Sequence, residues 1–595
     1  MGDMQDVMKF ELLPNEILLE CFKYLNGTDI FYAFDFLNNR YYNLIRSIPL
    51  RLNFRHVQKS TFDQFCEQIL SNPGIKNRIR SLHLSHETVY DQISTFLSRF
   101  SLDQFLHLRS LCLAVDYEGY ARKDMKWAEE IDNIVTALSR SNIQSLSVPV
   151  LELNFAVLDP FTSVINLTIS HSCSVSRGCD WWKIDELNST NEHTATHLKQ
   201  LIVRGSPVYF GSFNSLETIL RKTPNLSSLT ISVENDLEIL NPQDWQRLIE
   251  SVLPRLTNFQ FKFGMTYLRK DNDIYKRFEH FQNDFWYQNH WYTECALSKS
   301  CACIYTIPYP SNEYTLISYT ERYCDVSNTD LGTFDKVTIL TLSLQSITTT
   351  CEHYFSSVNS LTLDNDYERS IDTYPPLETK HIKSLKMIVN LYNLKQLDIS
   401  SCLLDIESPL VLLLIMKEAS NISSLKIRKD TLLSLFSNQD VCEYISKNIT
   451  ELDVLGDYFY DAYEIMKVCK RFSNIKRLKC YCDGPKHLLL VINELVKYSK
   501  MKVFSFNTHM PIQTKRWLQN QALEANIYSS KGNCDTYDDT SDSDIDFDEC
   551  IYNSDGYYTD DYDIDDYEYY YYENDERLDF NVTDFRPGKQ SLAFC

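Results

Sequence analysis

The sequence predicts an α/β solenoid, with short parallel strands inside, helices outside, a three-helix unit in front and an acidic tail behind. Three observations predict it. A cassette of the form apolar-x-x-apolar-x-apolar returns fourteen times from residue 79 onward, and segments of helical apolar spacing separate many of the copies. Return at a fixed interval is the mark of stacked repeats, in which each unit buries its apolar face only against its neighbours. Before residue 79 the pattern is different, with three short helical stretches in succession.

These stretches come first in the chain. Residues 10–45 read FELLPNEILLECFKYLNGTDIFYAFDFLNNRYYNLI. Leu13 and Pro14 open a helix in which Ile17, Leu18, Cys21, Phe22 and Leu25 recur at helical spacing, and Pro in a first turn costs no hydrogen bond. Asn26 and Gly27 end it. Thr28 can cap a second helix carrying Ile30, Phe31, Ala33, Phe34 and Leu37, and after Asn38 and Asn39 a third carries Tyr42, Leu44 and Ile45. A unit below about 40 residues cannot bury all these side chains by itself. Its surplus face needs a partner or the adjoining domain.

Residues 48–78 read as a strand and a helix, in which Phe54, Val57, Phe62, Phe65 and Ile69 can weld the three helices to the first repeats. Cassettes then start at Ile79, Leu108, Ile143, Val164, Leu198, Leu226 and Leu256, covering 79–263. A second series, in 337–528, starts at Val337, Val358, Leu394, Ile422, Ile449, Ile475 and Met501. Leu216, Ile219 and Leu220 before Pro224, and Trp245, Leu248, Ile249 and Val252 before Pro254, mark helices between copies. From Leu394 the intervals settle at 28, 27, 26 and 26 residues. Trp517, Leu518 and Leu523 can form a helix that closes the last strand.

Residues 264–336 break the rhythm with Tyr275, Phe278, Phe281, Phe285, Trp286, Tyr287, Trp291 and Tyr292, then a strand pattern from Cys301 to Tyr309. Two degenerate repeats, a hairpin packed on the solenoid, and a projecting loop with aromatic anchors all fit. Residues 529–595 are an Asp-, Tyr- and Ser-rich tail with almost no aliphatic residues, expected to be disordered. Its role is either solubilising or that of an arm for a basic partner, strengthened if Ser541 or Ser543 were phosphorylated.

Charge narrows the function classes. The stretch from Lys531 to Cys595 holds 20 Asp/Glu against 4 Lys/Arg, a balance of −16 within a total of −23, which leaves −7 for the rest. Neither part has the basic surplus that neutralises phosphates, so nucleic acid is not expected as a partner. The start, residues 1–9, lacks the pattern of a signal peptide, and the longest apolar run, Pro409 to Met416, is too short to span a bilayer. The expected place is therefore the cytoplasm or nucleus with no membrane partner, and the 18 Cys are expected to be reduced core residues.

No catalytic constellation stands out. Phosphate-cradling and dinucleotide-binding glycine loops, the nucleophile elbow and the zinc helix are all missing from the sequence. His193 and His197 lack a third ligand, while Cys301 with Cys303 and Cys480 with Cys482 are spaced like alternate strand positions. No catalytic residue, metal or cofactor is expected. What remains is recognition on the inner face, where the fifth and seventh cassette residues point. In the first series these include His83, Ser85, Cys112, Thr168, Thr230 and Ser232, with Arg204 the exception. In the second they include Asp364, Asp398, Lys426, Arg428, Asp453 and Lys479, the candidate substrate-binding residues.

The run Leu13-Pro14, Glu16-Ile17-Leu18, Phe22, Tyr24-Leu25, Asp29-Ile30, Ala33, Leu37, Asn38, Arg40 and Leu44 resembles an F-box over residues 10–47. The cassettes are similar to the leucine-rich repeats that follow the F-box in one large class of such proteins. That resemblance implies a non-catalytic substrate receptor of a Skp–cullin–RING ubiquitin ligase. Leu13, Pro14, Ile17, Leu18, Phe22, Leu25 and Ile30 would then dock on a Skp-type adaptor, and through it a cullin, while the repeats hold a protein substrate. The rival is a repeat scaffold whose N-terminal helices are only a cap. Exposure of Leu13-Pro14 and Ile17-Leu18 separates the two.

Overall fold

Each described cassette becomes a short strand because its apolar fourth and sixth residues fall on the same side of an extended chain and give the strand one apolar face. In the computed structural model the fourth positions line up as one row from Leu52 through Leu82, Leu111, Leu146, Leu167, Leu201 and Leu229 to Phe259. A second row runs from Leu340 through Leu361, Leu397, Leu425 and Leu452 to Leu478. All of these are buried. The structure describes residues 13–115, 138, 141–149, 163–170, 194–205, 213–234, 240–266, 272–298, 301–324, 332–348, 351–365, 375–456, 462–481, 503–508 and 576–581, apart from 35–36, 56, 58, 88–89 and 319.

The N-terminal helices are α1 (Asn15–Phe22), α2 (Gly27–Phe34) and α3 (Asn39–Ser47). Asn38 caps α3 by accepting from the Arg40 and Tyr41 backbone N–H groups at 2.9 and 3.0 Å. Arg40 in turn donates to Asn15 Oδ1 at 2.7 Å and to the Leu13 carbonyl, which fixes the start of α1. Next come β1 (Leu50–Asn53) and α4 (Lys59–Ser71). The free edge of β1 is closed by one side-chain amide: Asn26 donates to the Asn53 carbonyl at 2.7 Å and accepts from its N–H at 2.9 Å. Gly27 permits this approach, because a Cβ there would lie 2.8 Å from Leu52 Cδ2 and 2.9 Å from the Arg51 carbonyl oxygen. Phe54, Phe62, Phe65 and Ile69 are buried, with Phe31 and Phe65 edge to face at 5.2 Å, so the junction is a shared core.

The first sheet starts at β1, earlier than the first cassette. It continues through β2 (Ile79–Glu87) with its short partner β3 (Tyr90–Asp91), then α5 (Gln92–Arg99) and β4 (Ser110–Val115). After these come β5 (Ser145–Pro149), β6 (Asn166–Ser170), β7 (Gln200–Gly205), α6 (Phe213–Arg221), β8 (Ser228–Glu234), α7 (Pro242–Val252) and β9 (Asn258–Thr266). Here the parallel run stops. α8 (Asn272–Glu279) and α9 (Asp284–Gln288) lead into β10 (Thr293–Leu297) and β11 (Cys301–Thr306), an antiparallel hairpin that adds to β9 through β11. The 264–336 interval is thus largely a hairpin with a buried aromatic bed. Phe278, Phe281, Trp286 and Trp291 are core residues, not outward anchors.

A second sheet begins at β12 (Glu313–Leu316), while β13 (Glu321–Cys324) returns to pair with β10. The expected single solenoid is therefore two sheets, each with its own core. The hairpin is the wall between them. Cys295, Ala302 and Ile304 belong to the first core, while Ala296 and Tyr305, the alternate positions, belong to the second.

The second sheet continues with β14 (Ile339–Ser343), β15 (Ser360–Asp364), α10 (Thr379–Ile388), β16 (Gln396–Ile399), α11 (Pro409–Glu418) and β17 (Ser424–Arg428). It then runs through α12 (Lys429–Leu435), α13 (Gln439–Asn448), β18 (Glu451–Leu455), α14 (Ala462–Arg471), β19 (Arg477–Tyr481) and β20 (Val503–Thr508). The last strand, β21 (Glu576–Asn581), pairs antiparallel with β20. This corrects the expectation of a tail disordered throughout: Leu578 and Phe580 give this stretch the alternation of a strand amid acidic sequence. The proposed closing helix at Trp517, Leu518 and Leu523 lies outside the described residues.

A stitch of asparagines ties successive repeats. Asn225, Asn393, Asn421 and Asn474, each just before a cassette, donate to the carbonyls of Thr196, Ser356, Tyr392 and Lys447 in the preceding repeat at 2.7, 2.9, 2.7 and 3.1 Å. Each bond is exposed, so its loss is partly made good by water. Asn421→Ala is expected to cost about 0.5–1.5 kcal/mol, read as a lower urea midpoint at constant m, and an unchanged midpoint would leave the stitch without energetic weight.

Candidate functional site

Two surfaces carry the residues singled out in the sequence. At the N-terminal helices the seven divide by face. Leu18, Phe22 and Ile30 are buried at 0%, 3% and 2% exposure, whereas Ile17 and Leu25 are 49% and 41% exposed. Pro14 is exposed and Leu13 half-buried. Tyr24 at 82% and Leu37 at 54% add to the outward apolar side chains. The buried set has a clear partner in the fold, with Phe22 and Phe34 at 5.2 Å and Phe34 and Tyr41 at 5.4 Å. Ile17, Tyr24, Leu25 and Leu37 belong to neither core among the described residues, and exposed large apolar side chains are candidates for a contact surface.

The second surface is the inner face of the second sheet. Parallel pairing sets Thr315, Thr341, Thr362, Asp398, Lys426, Asp453 and Lys479 side by side on consecutive strands. Acid and base alternate along it, and they pair: Lys426 Nζ lies 3.0 Å from Asp398 and Lys479 Nζ lies 3.5 Å from Asp453. Burial pushes the Asp453 carboxyl up, against the pull of Lys479 and Lys426. One Asp453 oxygen, Oδ1, is buried without a hydrogen-bond partner. The matching row of the first sheet carries no carboxylate or ammonium, running Asn53, His83, Cys112, Ser147, Thr168, Ile202, Thr230 and Gln260.

Asp364 and Arg428 stand one row further along. Asp364 accepts from Ser401 Oγ, and Arg428 donates to the Cys402 carbonyl at 3.1 Å and reaches Asp405 at 3.3 Å. Both brace the loop after β16. The four central charges, Asp398, Lys426, Asp453 and Lys479, are therefore the candidates that stay together in one row and pair along it.

A polar cluster at the wall between the sheets escaped sequence reasoning. Glu294, 1% exposed, is gripped by Arg322 through Nε at 2.6 Å and a terminal nitrogen at 2.7 Å, and accepts from the Tyr305 hydroxyl. Arg322 also donates to the Glu352 carbonyl at 3.0 Å. Beyond it, Cys351 Sγ lies 3.8 Å from His353 Nδ1, and Tyr314 Oη lies 3.5 Å from His353 Nε2. This is not an activated thiol pair. Burial, with the Arg322 charge, holds His353 down to about 3, and burial raises the Cys351 thiol, whereas a catalytic pair needs the reverse. His197 stands apart from any ligand set, and no metal-holding group of His, Cys, Asp or Glu occurs among the described residues. No described helix is long and apolar enough to cross a membrane.

Comparison with known proteins adds little to this geometry. No family model matches the chain, and no curated protein matches it by sequence. Among solved structures it is similar to one described as a complex of Rad7 and Elc1 in yeast, at 11% identity and a TM-score of 0.30, over 82% of this chain and 94% of that one.

Proposed function

We propose that the chain is the substrate-recognition subunit of a Skp–cullin–F-box ubiquitin ligase. The outward side chains of the N-terminal helices bind a Skp-type adaptor, and through it a cullin, while the inner face of the repeats holds the protein to be modified. The observation that carries this reading is the division at α1 and its flanks, where Leu18, Phe22 and Ile30 serve the fold and Pro14, Ile17 and Leu25 are left facing solvent. The shared core at Phe54, Phe62, Phe65 and Ile69 makes the adaptor-binding end rigid with the first repeats. Such a receptor, working in the cytoplasm or nucleus, acts by proximity: it sets where the bound protein stands relative to chemistry done by other subunits. No residue of the chain need react.

The buried half of the same set favours a second reading. Leu18, Phe22 and Ile30 belong to the core that continues into the repeats, as the cap of a protein-interaction scaffold would. Co-expression with a Skp-type adaptor separates the two. The receptor reading expects a stoichiometric complex that Ile17→Asp with Leu25→Asp abolishes at an unchanged melting temperature, while Leu18→Ala lowers the melting temperature instead. A well-folded chain that ignores the adaptor leaves the scaffold.

A further inference from the structure

The outer helices of the second sheet present mostly polar side chains to solvent, Met387 of α10 and Tyr463 of α14 apart. On α13 the outward positions are Gln439, Asp440, Glu443 and Lys447, and on α14 they include Lys467 and Lys470. α11 differs. Its sequence, PLVLLLIMKE, is apolar on every side, and a helix of that kind is ordinarily covered all round. Here Leu410 and Leu414, one turn apart, are 49% and 43% exposed.

The neighbouring helix borders this stripe with charge. Lys386 of α10 pairs with Glu418 of α11 at 2.6 Å, which sets the last turns of the two helices side by side. One turn back, Leu414 therefore lies level with Lys383. Met387 on α10 is 50% exposed, and beyond the end of that helix Tyr392 at 66% and Tyr354 at 54% are exposed as well. Tyr354 is brought there by its neighbour Phe355, whose N–H donates to the Ile388 carbonyl at 2.8 Å. Lys380 and Lys386 have acidic partners, but Lys383 and Lys417 form no ion pair among the described residues.

We propose that these exposed side chains dock an acidic amphipathic helix from another protein. The two unpaired lysines beside the leucines call for acidic flanks on the partner. The size of the surface points to one helix: five partly exposed side chains offer a few hundred Å², short of the roughly 800 Å² per partner of a stable globular interface. A helix with apolar residues at i, i+4 and i+7 suits such a surface, and Met and Tyr are favoured at contacts of this sort. The site lies on the helix layer, so it can be filled while the inner sheet face and the N-terminal patch are both occupied.

The test uses the full chain and a synthetic helical peptide with leucine at every third and fourth position and glutamate on both flanks, beside a counterpart with lysine for glutamate. Fluorescence anisotropy is expected to show the acidic peptide binding, and the basic one weaker by roughly tenfold or more. The same loss is expected for the acidic peptide on Leu410→Glu/Leu414→Glu and on Lys383→Glu/Lys417→Glu, all positions whose exposure spares the fold, as equal melting temperatures check. Equal affinity for the two peptides, or for the chain and its variants, overturns the proposal. Self-association abolished by Leu410→Glu/Leu414→Glu overturns it in favour of a second copy. A chain that ignores the peptide, while carbodiimide cross-links residues 531–575 to Lys383 or Lys417, overturns it in favour of the chain's own acidic segment.

Discussion

Arg322→Met is expected to lower the stability of the chain by about 3–5 kcal/mol, the usual result of stranding one half of a buried ion pair. Glu294, at 1% exposure, loses both guanidinium bonds and keeps only the Tyr305 hydroxyl. The methionine covers much the same volume, so the loss reads as electrostatic, not as a cavity. Adding Glu294→Gln to Arg322→Met removes the stranded charge and should recover most of the difference. Urea unfolding at constant m measures both steps. If the double variant is no more stable than Arg322→Met alone, the loss comes from packing at the wall and not from the charge.

Acid should loosen the same junction through His353. The imidazole is 3% exposed, and burial together with the Arg322 charge keeps it neutral down to about pH 3, against an ordinary 6.5. Between those values the unfolded chain takes up a proton that the folded chain refuses. Stability from this residue is therefore complete above about pH 6.5 and falls by roughly 1.4 kcal/mol per unit as the pH drops, about 4–5 kcal/mol by pH 3. The groups facing the ring do not offset this. Tyr314 and Cys351 are both shifted upward by burial and stay uncharged across the window. His353→Phe keeps a ring among Phe334 and Phe355, which stack on it at 5.5 and 6.1 Å. The variant should lose about one proton's worth of slope between pH 6.5 and 4, and an unaltered slope would place the acid sensitivity elsewhere.

The repeats were legible because their signal is periodic and dense. An aliphatic or aromatic residue at the fourth and sixth positions is needed wherever a strand turns one side to a core, and Leu229 with Ile231 or Leu425 with Ile427 state it outright. The charged inner row from Asp398 to Lys479 followed from the same alternation. What the periodicity could not tell is which of these charges pair along the row and which brace a loop, because Asp364 and Arg428 take their partners from Ser401, Cys402 and Asp405 on a separate segment. β12 was missed since its cassette opens on Ser311 where the others have an aliphatic residue, although the carbonyl of Asn312 receives the same pair of N–H groups, from Thr338 and Ile339, as its counterparts do. The asparagine stitch had a visible trace, Asn recurring one place ahead of the cassette. The Glu294 and Arg322 pairing had none, for the two lie far apart in sequence and meet only across antiparallel strands.

The wall of β10 and β11 has a consequence for how such a chain can change over generations. Each of its two faces answers to a different core, so a repeat can be duplicated or deleted beyond β12 without disturbing the packing that starts at the N-terminal helices. Each added unit in that arm would lengthen it by one strand spacing, about 4.8 Å. Reach on the far side can thus drift freely while the near end keeps its geometry, the freedom a chain needs if one end must stay matched to a constant fitting while the other follows varied cargo.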